Sequence, residues 1–259
     1  MLSFIVVVFL LAGMVKGMIG LGLPAVSMGL LTMLISPYQA AALLIVPSMV
    51  TNIWQLFAEG QVLRVLARFW TLLLGIIVGS IWSIFPRLGQ SEFHSEALLG
   101  AMLLLYGLYG LVAKQIPNLS RYAWILSPLI GYLGGALTVA TGVVVIPVVP
   151  YLQSLHLQRD DLVQSLGLAF TVSTMCLAIF LQQNPVAHLE IDYLWSVLAL
   201  IPALLGMWLG TRIRYKIAEQ KFRKVFFCGL ITLGGYMLLS HSLCWLSCQA
   251  EDVVELNID

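Results

Sequence analysis

The stretch "LAGMVKGMIGLGLPAV", residues 11–26, sets Gly13, Gly17, Gly20 and Gly22 around one cation, Lys16, and closes on Pro24 within an otherwise apolar run. In a helix interior glycine costs about 1 kcal/mol relative to alanine, and proline about 3 kcal/mol. The run that holds this stretch, residues 2–35, would extend about 51 Å as one helix at about 1.5 Å per residue. A bilayer core is only about 30 Å thick. The run must therefore break or fold back, and the glycines with Pro24 mark the place.

The rest of the chain puts this break in a membrane. Of its 259 residues 60% are hydrophobic and 10% charged, and the mean hydropathy is +0.97, which predicts an all-α polytopic membrane protein in contact with membrane lipids. A net charge of +1, with no basic face or tail, argues against a nucleic-acid partner. Residues 1–12 lack a basic n-region and an A-x-A cleavage site, so they are expected to be retained. Cys176, Cys228, Cys244 and Cys248 show no zinc-ligand spacing and read as small apolar residues. His94, His156, His188 and His241 lie in or near loops and read as solvated.

Eight apolar blocks can be marked: 2–35, 38–58, 69–86, 97–113, 122–155, 162–182, 192–211 and 224–242. The first and fifth are too long for one span. They also resemble each other, since Gly13 and Gly17 fall 118 positions before Gly131 and Gly135, and "GMIGLGLPAV" lies opposite "GALTVATGVV". Further on, "GIIVGSIWS" (75–83) aligns with "PALLGMWLG" (202–210), and Gly107 with Gly235. Two repeats follow, 1–114 and 122–242, with an acidic C-terminal tail at 243–259. Duplicated, Gly/Pro-interrupted segments point to a transporter with its site between the halves.

Loop charge orients the repeats. If the loop carrying Arg212, Arg214, Lys216, Lys221, Arg223 and Lys224 is cytoplasmic, and the first and fifth blocks each cross an even number of times, Arg64, Arg68, Lys114, Arg121 and Arg159 are cytoplasmic too. That places 11 of the 13 basic residues inside. Single crossings would move four of them outside. The even count predicts two inverted repeats, each with three full spans plus a broken or re-entrant helical hairpin, and both termini outside.

A broken helix also has chemistry to offer. The half-helix after the break starts with up to four unpaired N–H groups carrying roughly half a positive charge, and an anion is their natural partner. Breaks at Gly20–Pro24 and Thr138–Gly142 would present two such ends near the midplane. Gly20, Gly22 and Gly142 would allow close approach, Pro24 would open the new helix, and Thr138 and Thr141 would add hydroxyl donors. Asn52 and Gln55, with Thr51, end the second block, and Ser173 lies opposite Asn52 in the second copy among Thr171 and Thr174. These groups can donate to an oxyanion without a buried charge, or bond a neighbouring helix backbone. Gly13, Gly17, Gly131 and Gly135 fit helix packing instead, in the small-xxx-small pattern. Lys16 admits two readings: it snorkels to an interface, or it adds a full positive charge beside the Gly20–Pro24 break.

Other classes have less support. "GLGLPA" matches a dinucleotide fingerprint in form, but it follows no strand and the next acid, Glu59, is too far away. No intramembrane nucleophile with a base, and no H-E-x-x-H helix, indicates an enzyme. A membrane scaffold or assembly subunit is the alternative, yet a scaffold has no reason to break the same helix in both copies.

The glycine-studded first block, "VPSMVTNIW", "GIIVGS" and "GMWLGTRIRYKIAEQKFRKVFFCGLITLGGYMLL" resemble the sulfite exporter TauE/SafE family over residues 4–240. The resemblance implies a bacterial inner-membrane permease for small anions, sulfite or an organosulfonate among them, without a bound cofactor. The chain departs from the family pattern in having "GLGLPA" where consecutive glycines are common, and Thr138 and Ala140 where the first copy has Gly20 and Gly22. The expected mechanism is alternating access, one inverted copy moving against the other. With no P-loop in the chain, an ion gradient, a partner ATPase or the substrate's own gradient would drive it. The lack of an obvious intramembrane carboxylate favours uniport.

Overall fold

The structure, a computed structural model, describes residues 2–58, 60–89, 95–112, 117–183, 193–214 and 219–255. Lys114, Lys216, Glu59, His94, His188 and most of the 183–191 loop lie outside them. Ten α-helices are formed among the described residues: α1 (Leu2–Ile19), α2 (Leu23–Leu31), α3 (Pro37–Phe57), α4 (Val62–Ile81), α5 (Ser95–Val112), α6 (Ala123–Thr141), α7 (Val145–Ser154), α8 (Arg159–Gln183), α9 (Tyr193–Arg214) and α10 (Glu219–Glu255). All but α2 and α7 are long and apolar enough to cross a membrane. The chain is a multi-pass membrane protein. The first limb of each expected hairpin, α1 or α6, is thus itself of spanning length. Helix α10 continues to Glu255, so most of the segment expected as a tail is helical.

Both long blocks break. In the first, Gly20 (φ 85°) and Gly22 (φ 102°) adopt the left-handed conformation that costs a residue with a Cβ most. Pro24 then sits in the first turn of α2, where its missing N–H costs no hydrogen bond. In the second, α6 runs one turn further than the sequence alignment predicts. Thr138 and Thr141 lie within its last turn, the left-handed residue is Gly142 (φ 76°), and the chain resumes as α7 at Val145. The break is therefore at 142–144 rather than 138–142. By this measure Gly142, not Thr138, is the counterpart of Gly20.

Helix pairing respects the two halves. Helix α1 packs on α9, and α6 on α4, while α3 packs on α8 and α5 on α10. Exchanging the halves carries the first pair into the second and each of the others into itself. Glycines set the first two seams. A methyl group on Gly13 would stand 2.2 Å from the Ala203 carbonyl oxygen, and one on Gly17 2.1 Å from that of Met207. On the other seam, Gly75 would meet Pro128 O at 2.4 Å and Gly79 would meet Tyr132 O at 2.0 Å. Residue numbers ascend together in both seams, so the partner helices run parallel.

Gly206 packs on Leu10 O as Gly75 packs on Pro128 O. The α4 and α9 registers therefore match Gly75 with Gly206, which shifts the predicted alignment with Pro202 by one turn. By contrast α3 and α8 are antiparallel: Tyr38 OH donates to Leu181 O at one end (2.7 Å), and Gln55 Nε2 to Val163 O at the other (2.9 Å). Helices α5 and α10 are antiparallel too, with Gly107 against Phe227 and Gly100 against Gly234.

Pro47 interrupts α3 and cannot donate to the Leu43 carbonyl. Ser196 Oγ of α9 donates to that oxygen instead, at 2.9 Å. An apolar interior tolerates the interruption because a neighbouring helix satisfies the freed group.

Candidate substrate site between the broken helices

Lys16 lies in the last turn of α1 with 3% of its surface exposed. Its ammonium turns into the protein and donates to Thr51 Oγ1 at 3.0 Å and to Asn52 Oδ1. Snorkelling is thereby replaced by an inward pose. Both acceptors are neutral, and among the described residues no carboxylate pairs with the ammonium. Thr51 passes its own proton to Pro47 O (2.7 Å). Asn52, fully buried, donates through Nδ2 to Thr174 Oγ1 of α8 at 3.3 Å. A hydrogen-bonded line thus runs from Lys16 through Asn52 to Thr174, joining α1 and α3 of the first half to α8 of the second. The hydrogen bond that Asn52 makes across the halves goes to Thr174, the neighbour of its counterpart Ser173.

Thr174 is also part of the wall of a small central cavity. Pro24 of α2, Ser48 of α3, Thr138 and Gly142 beside the second break, and Ser173 of α8 share that wall. Its volume of about 20 Å³ has room for roughly one water. Two hydroxyls stand out. Ser48 Oγ and Ser173 Oγ are buried without a hydrogen-bond partner, at 3% and 1% exposure. An unpaired buried hydroxyl costs about 1–3 kcal/mol. Two of them on one small cavity, contributed by α3 and α8, are donors without an acceptor.

The structure brings Pro24, Thr138, Gly142 and Ser173 to the cavity, with Lys16 and Asn52 behind it. The other predicted residues do different work. Gln55 donates to Gly20 O (3.1 Å) and to Val163 O (2.9 Å), so its amide protons hold the end of α1 and the backbone of α8. Thr138 and Thr141 send their protons back to Gly134 O (2.7 Å) and Leu137 O (2.8 Å). These two hydroxyls are not the free donors the sequence suggested. Gly20 and Gly22 shape the break away from the cavity, where a methyl on Gly22 would meet Val15 and Phe226 at 3.0–3.1 Å.

The breaks also differ in surroundings. Gly20 lies beside Gln55, near the end of α3, whereas Val139 accepts from Leu88 N (2.9 Å) in the segment after α4. The two breaks are thus held by different neighbours, while the starts of both half-helices, at Pro24 and Gly142, reach the same cavity. Neither α2 nor α7 has a side chain capping its first turn.

Sequence reasoning missed Ser48. It sits in the quoted "VPSMVTNIW" one turn before Thr51 and Asn52, where the reading stopped short. We expect Ser173→Ala to leave the melting temperature unchanged or higher, since it deletes an unpaired hydroxyl. Anion affinity should fall by about tenfold, matching one hydrogen bond to a charged group, about 1.5 kcal/mol or more. Thermal unfolding and anion titration of the same preparation check both halves of that expectation.

Eight spanning helices, two of them continued past a glycine break into a short helix, around a buried cation and unpaired donors, define a multi-pass membrane protein of the permease class. The chain belongs to the sulfite exporter TauE/SafE family, whose model matches residues 5–237. That is a transporter family. No curated protein and no solved structure matches the chain significantly.

Proposed function

We propose that the protein is a secondary transporter that moves a small anion, sulfite or an organosulfonate, across a bacterial inner membrane by alternating access. The observation that carries this reading is the buried ammonium of Lys16, bonded to neutral groups, without a carboxylate partner among the described residues, and linked through Asn52 to a cavity lined with unpaired hydroxyls. A lysine inside a membrane costs about 2.5–3.5 kcal/mol on insertion scales. A substrate anion supplies the missing counter-charge, and the Ser48 and Ser173 hydroxyls supply donors for its oxygens. The family supports the substrate class. The test is a panel of sulfite, sulfoacetate, taurine, sulfate and thiosulfate, scored by thermal stabilisation of the purified protein and by flux in proteoliposomes. Stabilisation by at least one sulfur anion is expected, and no response to any of them would overturn the reading.

The two halves read as inverted repeats. In support, α3 and α8, third in each half, are antiparallel, as are α5 and α10, fifth in each half. With the basic loops cytoplasmic, both termini are then outside. A reporter fused after Asp259 should be active only in its extracytoplasmic form, and activity confined to the cytoplasm would contradict the arrangement.

A further inference from the structure

We propose that Lys16 carries a proton together with the anion, so that the protein is a proton-coupled symporter. This rests on the reading that the central site binds an anion. The proposal starts from what the ammonium lacks. It has three N–H donors, the structure gives two of them neutral oxygens, Thr51 Oγ1 and Asn52 Oδ1, and among the described residues no charge balances it. An isolated buried charge is paired, or it gives up its proton.

The groups on the helices packed around α1 offer no substitute. Helix α2 has no titratable side chain, and α3 has only Tyr38, at its far end, bonded to Leu181 O. On α9 the described cations are Arg212 and Arg214, in the last turn. Among the described side chains of α10, Arg223, Lys224, Cys228, Tyr236 and His241 lie along the helix, and none is a partner of Lys16. On α8, which packs behind α3, Asp160 and Asp161 occupy the first turn and Cys176 lies further along, and none is a partner of Lys16. Among the described residues, then, no counter-charge is at hand, and an entering anion would supply one and take it away again on release.

The cycle then balances without a co-reactant beyond solvent protons. In this cycle the ammonium is the form that receives the anion, and the empty carrier resets once Lys16 has given up its proton, the amine keeping two N–H groups for Thr51 and Asn52. An anion entering the cavity and a proton from water bind together, the amine becoming an ammonium behind the cavity wall, joined to it through Asn52 and Thr174. On release to the other side both leave, and the amine returns empty. One proton moves with each anion, so a monoanion such as isethionate leaves no net charge buried, and a dianion such as sulfate leaves one negative charge facing the Ser48 and Ser173 hydroxyls. The line from Lys16 Nζ to Asn52 and from Asn52 Nδ2 to Thr174 on the cavity wall fixes how the two sites communicate. Linkage makes the effect reciprocal: whatever the proton adds to anion affinity, the anion adds to proton affinity.

The test uses anions whose own charge does not change between pH 6 and 8.5, sulfate and isethionate, on the full chain in proteoliposomes and in detergent. For wild type we expect affinity for the anion that binds to fall at least about tenfold from pH 6 to pH 8.5. Anion influx should acidify the lumen as read by an entrapped pH dye. Lys16→Arg, whose charge is permanent, should bind with the same affinity at both pH values and move no proton. Wild-type binding that is equal at both pH values, or anion flux without lumenal acidification, overturns the coupling while leaving the transporter reading intact. If neither probe binds at either pH, the comparison is made with whichever of sulfoacetate and thiosulfate binds, and if no anion of the panel binds, the transporter reading fails and the coupling fails with it.

Discussion

Gly79→Val should leave little or no folded protein in the membrane. A Cβ at Gly79 would lie 2.0 Å from the Tyr132 carbonyl oxygen and 2.7 Å from its carbon, both backbone atoms of α6. Neither can step aside as a side-chain tip can. The same seam holds Gly131 and Gly135, whose methyl groups would stand 2.2 Å from Leu72 O and 2.0 Å from Ile76 O. Relief therefore requires α4 and α6 to separate along several turns. Overpacking in a core costs about 1–3 kcal/mol and occasionally more, and here the loss of helix contact adds to it. Gly229→Val is the control, because a Cβ there has no atom within 4 Å. Size-exclusion of solubilised protein should show Gly229→Val at the wild-type level and Gly79→Val aggregated or absent. A monodisperse Gly79→Val of wild-type melting temperature would contradict the close seam.

Asn52→Asp should produce the opposite pattern, a protein at least as stable as wild type that no longer binds its anion. The new carboxylate would face the Lys16 ammonium, which at present has only Asn52 Oδ1 and Thr51 as acceptors. The buried cation would gain a permanent counter-charge. Thr174 now donates to Phe170 O and accepts from Asn52; it can turn its proton to the carboxylate, so the change leaves no new orphan there. With the charge neutralised and a negative group next to the cavity, an entering anion meets repulsion where it met attraction. A loss of at least about a hundredfold in affinity, roughly 2.7 kcal/mol, is expected at unchanged or raised melting temperature. Wild-type affinity in Asn52→Asp would show that Lys16 is not the counter-charge of the substrate.

How far the fold could be read from sequence differs from residue to residue. The first break was legible because Gly20, Gly22 and Pro24 cluster within five positions, and only a break tolerates them together. The second was placed one turn early. There the hydroxyls of Thr138 and Thr141 bond back to the carbonyls four residues before them, and the helix continues until Gly142. The small-residue spacings at 13, 17, 131 and 135 gave the packing faces, but the α4 to α9 register slipped by one turn because Pro202 and Gly206 both lie in apolar surroundings.

Among the site residues, chemistry was easier to read than direction. Lys16 was visible as an anomaly, yet its inward pose depends on Thr51 and Asn52, 35 and 36 residues away, on a helix whose rotation no local pattern fixes. Gln55 looked like a donor for a substrate, but it caps Gly20, because the end of a broken helix competes for the nearest amide. Ser48 carried no signal of its own.

The two glycine seams bear on how such a molecule can move. Each joins a helix of one half to a helix of the other: α1 to α9, and α4 to α6. Backbone lies directly on backbone there, with no side chains between to roll or reshuffle. A motion that treats the halves as separate blocks has to unzip both seams, whereas one that carries α1 with α9, and α6 with α4, leaves them shut. The natural moving parts are therefore hybrids, each made of helices borrowed from both ends of the chain.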